Sequence, residues 1–138
     1  MSWLNDLIAY FTYKPTVERP SPKIRITSEQ ADALIKLIKT VPGYENCFIA
    51  AIASTNSLDP TIDDGMYVVL DFKVEVEDLI VGDIIWYETP TFKAIHRIIK
   101  IGSDPEWWCL CKGDNNSIKD PVIVRGQDIK GIWRATLN

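Results

Sequence analysis

Apolar residues follow two different rhythms along this chain, and the change comes near residue 46. Upstream, they recur at spacings of three and four. Trp3, Leu4, Leu7, Ile8 and Phe11 fall on one face of a helix, which predicts an amphipathic helix over residues 1–13. Residues 14–26 carry Pro15, Pro20 and Pro22 among polar residues and read as an extended linker. A second helix is expected over 28–39, with Ala31, Leu34, Ile35 and Ile38 as its buried stripe. Thr27 with Gln30 has the form of a capping box, and Ser28 with Ala31 is the other possible start. Pro42-Gly43 stops this helix.

Downstream, short apolar runs alternate with turn residues. Strands are expected over 47–53, 66–71, 83–88, 92–101, 107–112 and 129–136. Gly82-Asp83, Gly102-Ser103-Asp104-Pro105, Gly113-Asp114-Asn115-Asn116 and Gly126-Gln127-Asp128 mark bends. Closely spaced strands without intervening helices indicate a mainly β, antiparallel domain over 27–138.

Composition narrows the classes. With 138 residues and a net charge of −4, the chain suits one domain and is a poor match for nucleic acid. The three cysteines are Cys47, Cys109 and Cys111. The last two, on one strand face, would form a strained disulfide, so reduced thiols in an intracellular protein are expected. A single histidine and one Cys-x-Cys pair make a weak metal site. The longest apolar runs fall far short of the roughly 20 residues of a spanning helix. The opening Met-Ser-Trp-Leu-Asn-Asp-Leu has no basic leader or cleavage site of a secretory signal.

Three features carry candidate chemistry. Ser57 lies in a polar, Pro-containing bend between two apolar runs, where flanking strands can hold a nucleophile still. His96 lies inside Phe92-Lys93-Ala94-Ile95-His96-Arg97-Ile98-Ile99-Lys100. Asp114 and Asp120 lie in the stretch from Lys112 to Asp120. Each has a bland reading: a loop hydroxyl, a structural histidine, turn-forming carboxylates. Together they are the parts of a Ser-His-Asp system.

The order of these segments resembles a known family. Ser57-Leu58-Asp59-Pro60-Thr61 is similar to the Ser-Met-x-Pro-Thr box of type I signal peptidases and of their relatives, the autoproteases of the SOS-repressor group. Val81-Gly82-Asp83-Ile84-Ile85-Trp86-Tyr87 resembles the Gly-Asp-Ile-Val strand. Ile95-His96-Arg97-Ile98-Ile99 resembles the box of the general base, in the histidine form of the archaeal and endoplasmic-reticulum enzymes. Lys112-Gly113-Asp114-Asn115-Asn116 matches that type's Lys-Gly-Asp-Asn-Asn box, and Gly126 to Gly131 resembles the closing segment. The resemblance covers about residues 50–133.

It implies a coiled β-sheet domain with N-terminal helices and a serine endopeptidase. Ser57 would be the nucleophile, His96 the base and Asp120 the orienting acid, with Asp114 as the alternate acid that otherwise braces the loop. The Ser57 amide and Thr55, which stands where the family often has serine, would bind the oxyanion. Leu58 replaces the usual Met, Asn56 replaces a small residue beside the nucleophile, and Gly65-Met66 stands in place of Gly-Asp.

No metal or organic cofactor is implied. The implied substrate is a peptide held as an extended strand. With no anchor expected, that substrate need not be a signal peptide, and a cytoplasmic, or for a phage-encoded protein virion-associated, location is expected. A non-catalytic interaction or assembly module on the same scaffold is the rival reading. It would associate with a protein partner, or with itself, through Trp3, Leu7 and Phe11.

Overall fold

A computed structural model describes residues 19–53 and 55–138. The expected helix over 1–13, with Trp3, Leu7 and Phe11, lies outside the described residues, as does the start of the linker. Helix α1 spans Ser28–Ile38. Thr27 caps it: its hydroxyl accepts from the Gln30 amide, and the Gln30 side chain accepts from the Thr27 amide. The other possible start, at Ser28, is therefore not used.

Seven strands follow: β1 Cys47–Ala51, β2 Tyr67–Asp71, β3 Ile84–Glu88, β4 Lys93–Gly102, β5 Trp108–Lys112, β6 Val124–Arg125 and β7 Ile129–Leu137. They form one sheet in the order β1-β2-β7-β3-β4-β5-β6, and every pairing is antiparallel. The described fold is thus mainly β with one α-helix. Register shifts at Val69/Leu70, Trp86/Tyr87 and Ile98/Lys100 mark bulges, which sharpen the local twist of a sheet.

The central strand β3 is buried on both faces, which is why it reads as an unbroken apolar run instead of an alternation. Ile84 and Trp86 join Ala50, Ile52, Leu58, Val68, Leu70 and Ile95 in one core cluster. Ile85 and Tyr87 join Leu79, Ala94, Ile98, Cys111, Val124 and Ile129 in the other. Cys109 and Cys111 are free, buried, and 3.9 Å apart at sulfur. Helix α1 is less well covered than its periodicity suggests. Ala31 is buried, but Leu34 is 37% exposed, because the helix rests mainly on β1, at one edge of the sheet.

The described part of the expected linker is docked. Successive odd-numbered residues contact one loop. The Arg19 amide donates to Asp59 (3.5 Å), the Ser21 hydroxyl bonds Asp63, and Lys23 and Arg25 lie 3.9 and 3.8 Å from the Asp63 carboxylate. The Arg25 side chain also donates to the Asp64 carbonyl at 2.9 Å. The prolines exclude a helix here, and the segment runs along the loop without secondary structure of its own. Arg19 and Ser21 thereby meet the loop that carries the nucleophile candidate.

Candidate active site

The loop between β1 and β2 leaves the sheet at Ile52 and returns at Met66. The Ile52 amide donates to the Met66 carbonyl and the Gly65 amide to the Ile52 carbonyl, both at 2.9 Å, which pins the loop's base. Gly65 has a φ of 82°, a conformation that side chains with a Cβ rarely adopt. Leu58 and Ile62 plug the loop into the first core cluster. The Asp59–Pro60 bond is cis. Ser57 sits at the start of this turn, and its carbonyl accepts from the Asn115 amide at 2.8 Å. The Asn115 side chain donates to the Asn56 carbonyl at 3.1 Å. Gly113 is needed for this approach: a Cβ there would lie 2.7 Å from both the Ser57 carbonyl oxygen and the Asn116 side chain.

His96 comes from the middle of β4, on the face of Ala94 and Ile98, opposite Ile85 of β3. Its Nε2 lies 3.1 Å from Ser57 Oγ. Its Nδ1 lies 2.8 Å from each oxygen of Asp120. A carboxylate accepts, so Nδ1 donates to Asp120 and Nε2 faces the Ser57 hydroxyl. Asp120 is placed by its backbone, whose N–H donates to the Cys111 carbonyl at 2.8 Å. The structure therefore brings Ser57, His96 and Asp120 into one hydrogen-bonded line.

Asp114 does not reach the histidine. It receives Arg97 Nε and Nη2 at 2.8 Å each and the Thr61 hydroxyl at 3.0 Å. Burial alone would raise its pKa, but Arg97's hydrogen bonds and charge, then Thr61 and Lys112, outweigh that and lower it. Arg97 also donates to the Gly82 carbonyl at 2.8 Å. Asp114 thus ties the nucleophile loop to the sheet through a planar, bidentate cation.

The two oxyanion candidates sit together. Thr55 Oγ1 lies 3.2 Å from Ser57 Oγ, and the Ser57 amide donates to it at 3.3 Å. In this state the donors are occupied with each other, and a substrate carbonyl oxygen would have to take their place. Asn56, which replaces a small residue beside the nucleophile, is buried within the protein.

Two features were missed from sequence. The polar bend around Ser57 gives no sign of burial, yet Ser57 is 1% exposed and His96 is 0% exposed. Tyr87 was not singled out, yet its hydroxyl donates to Asp120 at 2.5 Å. Burial, then the charge and hydrogen bond of Asp120, push the phenol's pKa above its ordinary value, so it remains a donor. The signal was the strand pairing: Tyr87 lies two residues from Ile85, the partner of His96, and so on the same face.

Among the described residues, no group of three or more His, Cys, Asp or Glu is arranged to hold a metal ion. No helix among them is long and apolar enough to cross a membrane. Comparison of the chain with family profiles, curated proteins and solved structures finds no match.

Proposed function

We propose that the chain is a serine endopeptidase acting on an extended peptide through Ser57, His96 and Asp120. The observation that carries this reading is the unbroken line from Ser57 Oγ to His96 (3.1 Å) to Asp120 (2.8 Å). The motif order shared with histidine-type signal peptidases supports it.

Ser57 Oγ attacks the peptide carbonyl while His96 Nε2 takes the hydroxyl proton. Asp120 holds the ring in the required tautomer and stabilises the imidazolium as it forms. The Ser57 N–H and the Thr55 hydroxyl turn from each other to the oxyanion. His96 then delivers its proton to the leaving amine, the C–N bond breaks, and water hydrolyses the acyl-enzyme by the reverse sequence of proton transfers.

One observation favours the rival module. Nucleophile and base are both buried, so a peptide must displace something to reach them. Treatment with a fluorophosphonate probe and mapping of the adduct by mass spectrometry separates the two. The peptidase reading expects the adduct on Ser57 and its loss in His96→Ala. A folded parent protein that is inert to both the probe and an unbiased peptide library would support the module.

A further inference from the structure

The segment ahead of α1 and the nucleophile loop carry opposite charges. Arg19, Lys23 and Arg25 lie on the segment, and Asp59, Asp63 and Asp64 on the loop. At the end away from the helix, the segment reaches the site itself. Arg19 Nε donates to the Asn115 side-chain oxygen at 2.5 Å, and the Arg19 amide donates to Asp59 Oδ2 at 3.5 Å. Arg19 thus bridges the loop after β1 to the loop after β5, the two that meet at Ser57.

Asn115 is where this bridge touches the nucleophile. Its backbone N–H donates to the Ser57 carbonyl at 2.8 Å, and its side-chain NH2 donates to the Asn56 carbonyl at 3.1 Å. The peptide units on both sides of the Ser57 Cα are therefore held by Asn115. A carboxamide has one accepting end and one donating end. A guanidinium only donates and a carbonyl only accepts, so Arg19 takes the oxygen and leaves the NH2 for Asn56. Turned over, the same side chain would set donor against donor and acceptor against acceptor. The orientation that holds Ser57 is thus the one that Arg19 selects.

We propose that Arg19 is a positioning residue for Ser57, and that docking of its segment completes the nucleophile loop. The proposal rests on the peptidase reading above. Arg19 acts through Asn115 on the backbone of Ser57, and so on the aim of Oγ toward His96 Nε2. Such alignment matters within about 0.5 Å, and a misplacement of about 1 Å can cost about 10²-fold in rate. Arg19 itself is exposed, so little of the domain's stability depends on it. Its effect on alignment is therefore separable from its effect on folding.

The test compares Arg19→Ala, Arg19→Lys and Lys23→Ala in the full chain. In Arg19→Ala, kcat on a cleaved peptide should fall by about 10-fold to 10²-fold with KM little changed. Arg19→Lys keeps a charged donor and should recover part of that loss. Lys23→Ala removes the same charge from the same segment, but its ion pair with Asp63 is long at 3.9 Å, so kcat should change by less than about 2-fold. An unchanged kcat in Arg19→Ala, or an equal loss in Lys23→Ala, would overturn the positioning role. A second arm does not need turnover. Arg19→Ala should shift the side-chain NH2 resonances of Asn115 and speed hydrogen exchange at its backbone N–H, and Lys23→Ala should do neither. Cleavage by Arg19→Ala at the parent's rate, with no change at Asn115, sinks the positioning role and leaves the peptidase reading standing. A parent inert to peptides and probe, with the changes at Asn115 present, sinks the peptidase reading and leaves the hold of Arg19 on the Ser57 loop standing.

Discussion

The two ends of the loop after β5 carry the same side chain in opposite surroundings. Asp114, at the near end, meets a fixed cation, Arg97, and the hydroxyl of Thr61. Asp120, at the far end, meets the His96 imidazole and the Tyr87 phenol, and is more deeply buried. A carboxylate already matched to a guanidinium has its charge committed to structure. In the proposed mechanism, a carboxylate not matched to a fixed cation stabilises the positive charge that develops on the imidazolium. The difference teaches that the partner, not the residue type or its nearness in sequence, decides whether an aspartate braces the site or takes part in it.

The sharpest way to break this comparison is to remove the charge at each end in turn. Asp120→Asn keeps the shape but offers an amide that favours the wrong tautomer of His96. Turnover should fall by about 10⁴-fold with the fold intact. A peptide-cleavage assay beside circular dichroism checks both halves. If Asp120→Asn kept its turnover while Asp114→Asn lost it, the two roles would be reversed.

Next in size is the oxyanion pair. Thr55→Val removes one hydroxyl donor and should lower kcat by about 10²–10³-fold with a smaller change in KM. An unchanged kcat would mean that Thr55 only holds the resting Ser57.

Asp114→Asn acts on stability. Losing hydrogen bonds to a charged partner should cost about 1.5–3 kcal/mol at neutral pH. The sign of its pH dependence follows from the lowered pKa. The stabilising effect is fully present above the unfolded carboxylate value, near pH 4, and is lost as pH falls through the lower folded value. Denaturant melts of parent and variant should therefore differ at pH 7 and converge in acid below that window. A constant gap across pH would show that the contribution is not ionic.

The smallest effect is expected from Lys23 of the docked segment. It is largely exposed, and its ion pair with Asp63 is long at 3.9 Å. Lys23→Ala should change stability by no more than about 1 kcal/mol, and less in high salt. A larger loss would mean that Lys23 is a main anchor of the segment.

Much of this arrangement is legible in the sequence. The antiparallel strands were visible as short apolar runs between turn residues, and the Thr27–Gln30 cap as a spacing. Ser57, His96 and Asp120 were visible because their segments follow a familiar order. What stayed hidden depends on contacts between distant residues. Strand β6 is only two residues long and has no periodicity to read. Tyr87 looks like one more apolar strand residue until the β3–β4 register places it beside His96. The exposure of Leu34 follows from where α1 lands on the sheet, which helical periodicity does not encode. The docking of residues 19–25 had a partial signal in the alternation of Arg19, Ser21, Lys23 and Arg25, but its acidic partners lie about 40 residues away.

The central claim is that Ser57 and His96 act as one unit. Its most direct measurement is the rate of cleavage of a single peptide by the parent, Ser57→Ala, His96→Ala and the double variant. Ser57 is buried and bonded to Thr55 and His96, so its replacement should also cost stability of about 1 kcal/mol, leaving the domain folded. Each single variant should lose nearly all turnover, and the double variant should be little worse than either, because members of a triad are not additive. Cleavage that persists undiminished in Ser57→Ala, or losses that multiply in the double variant, would contradict the account.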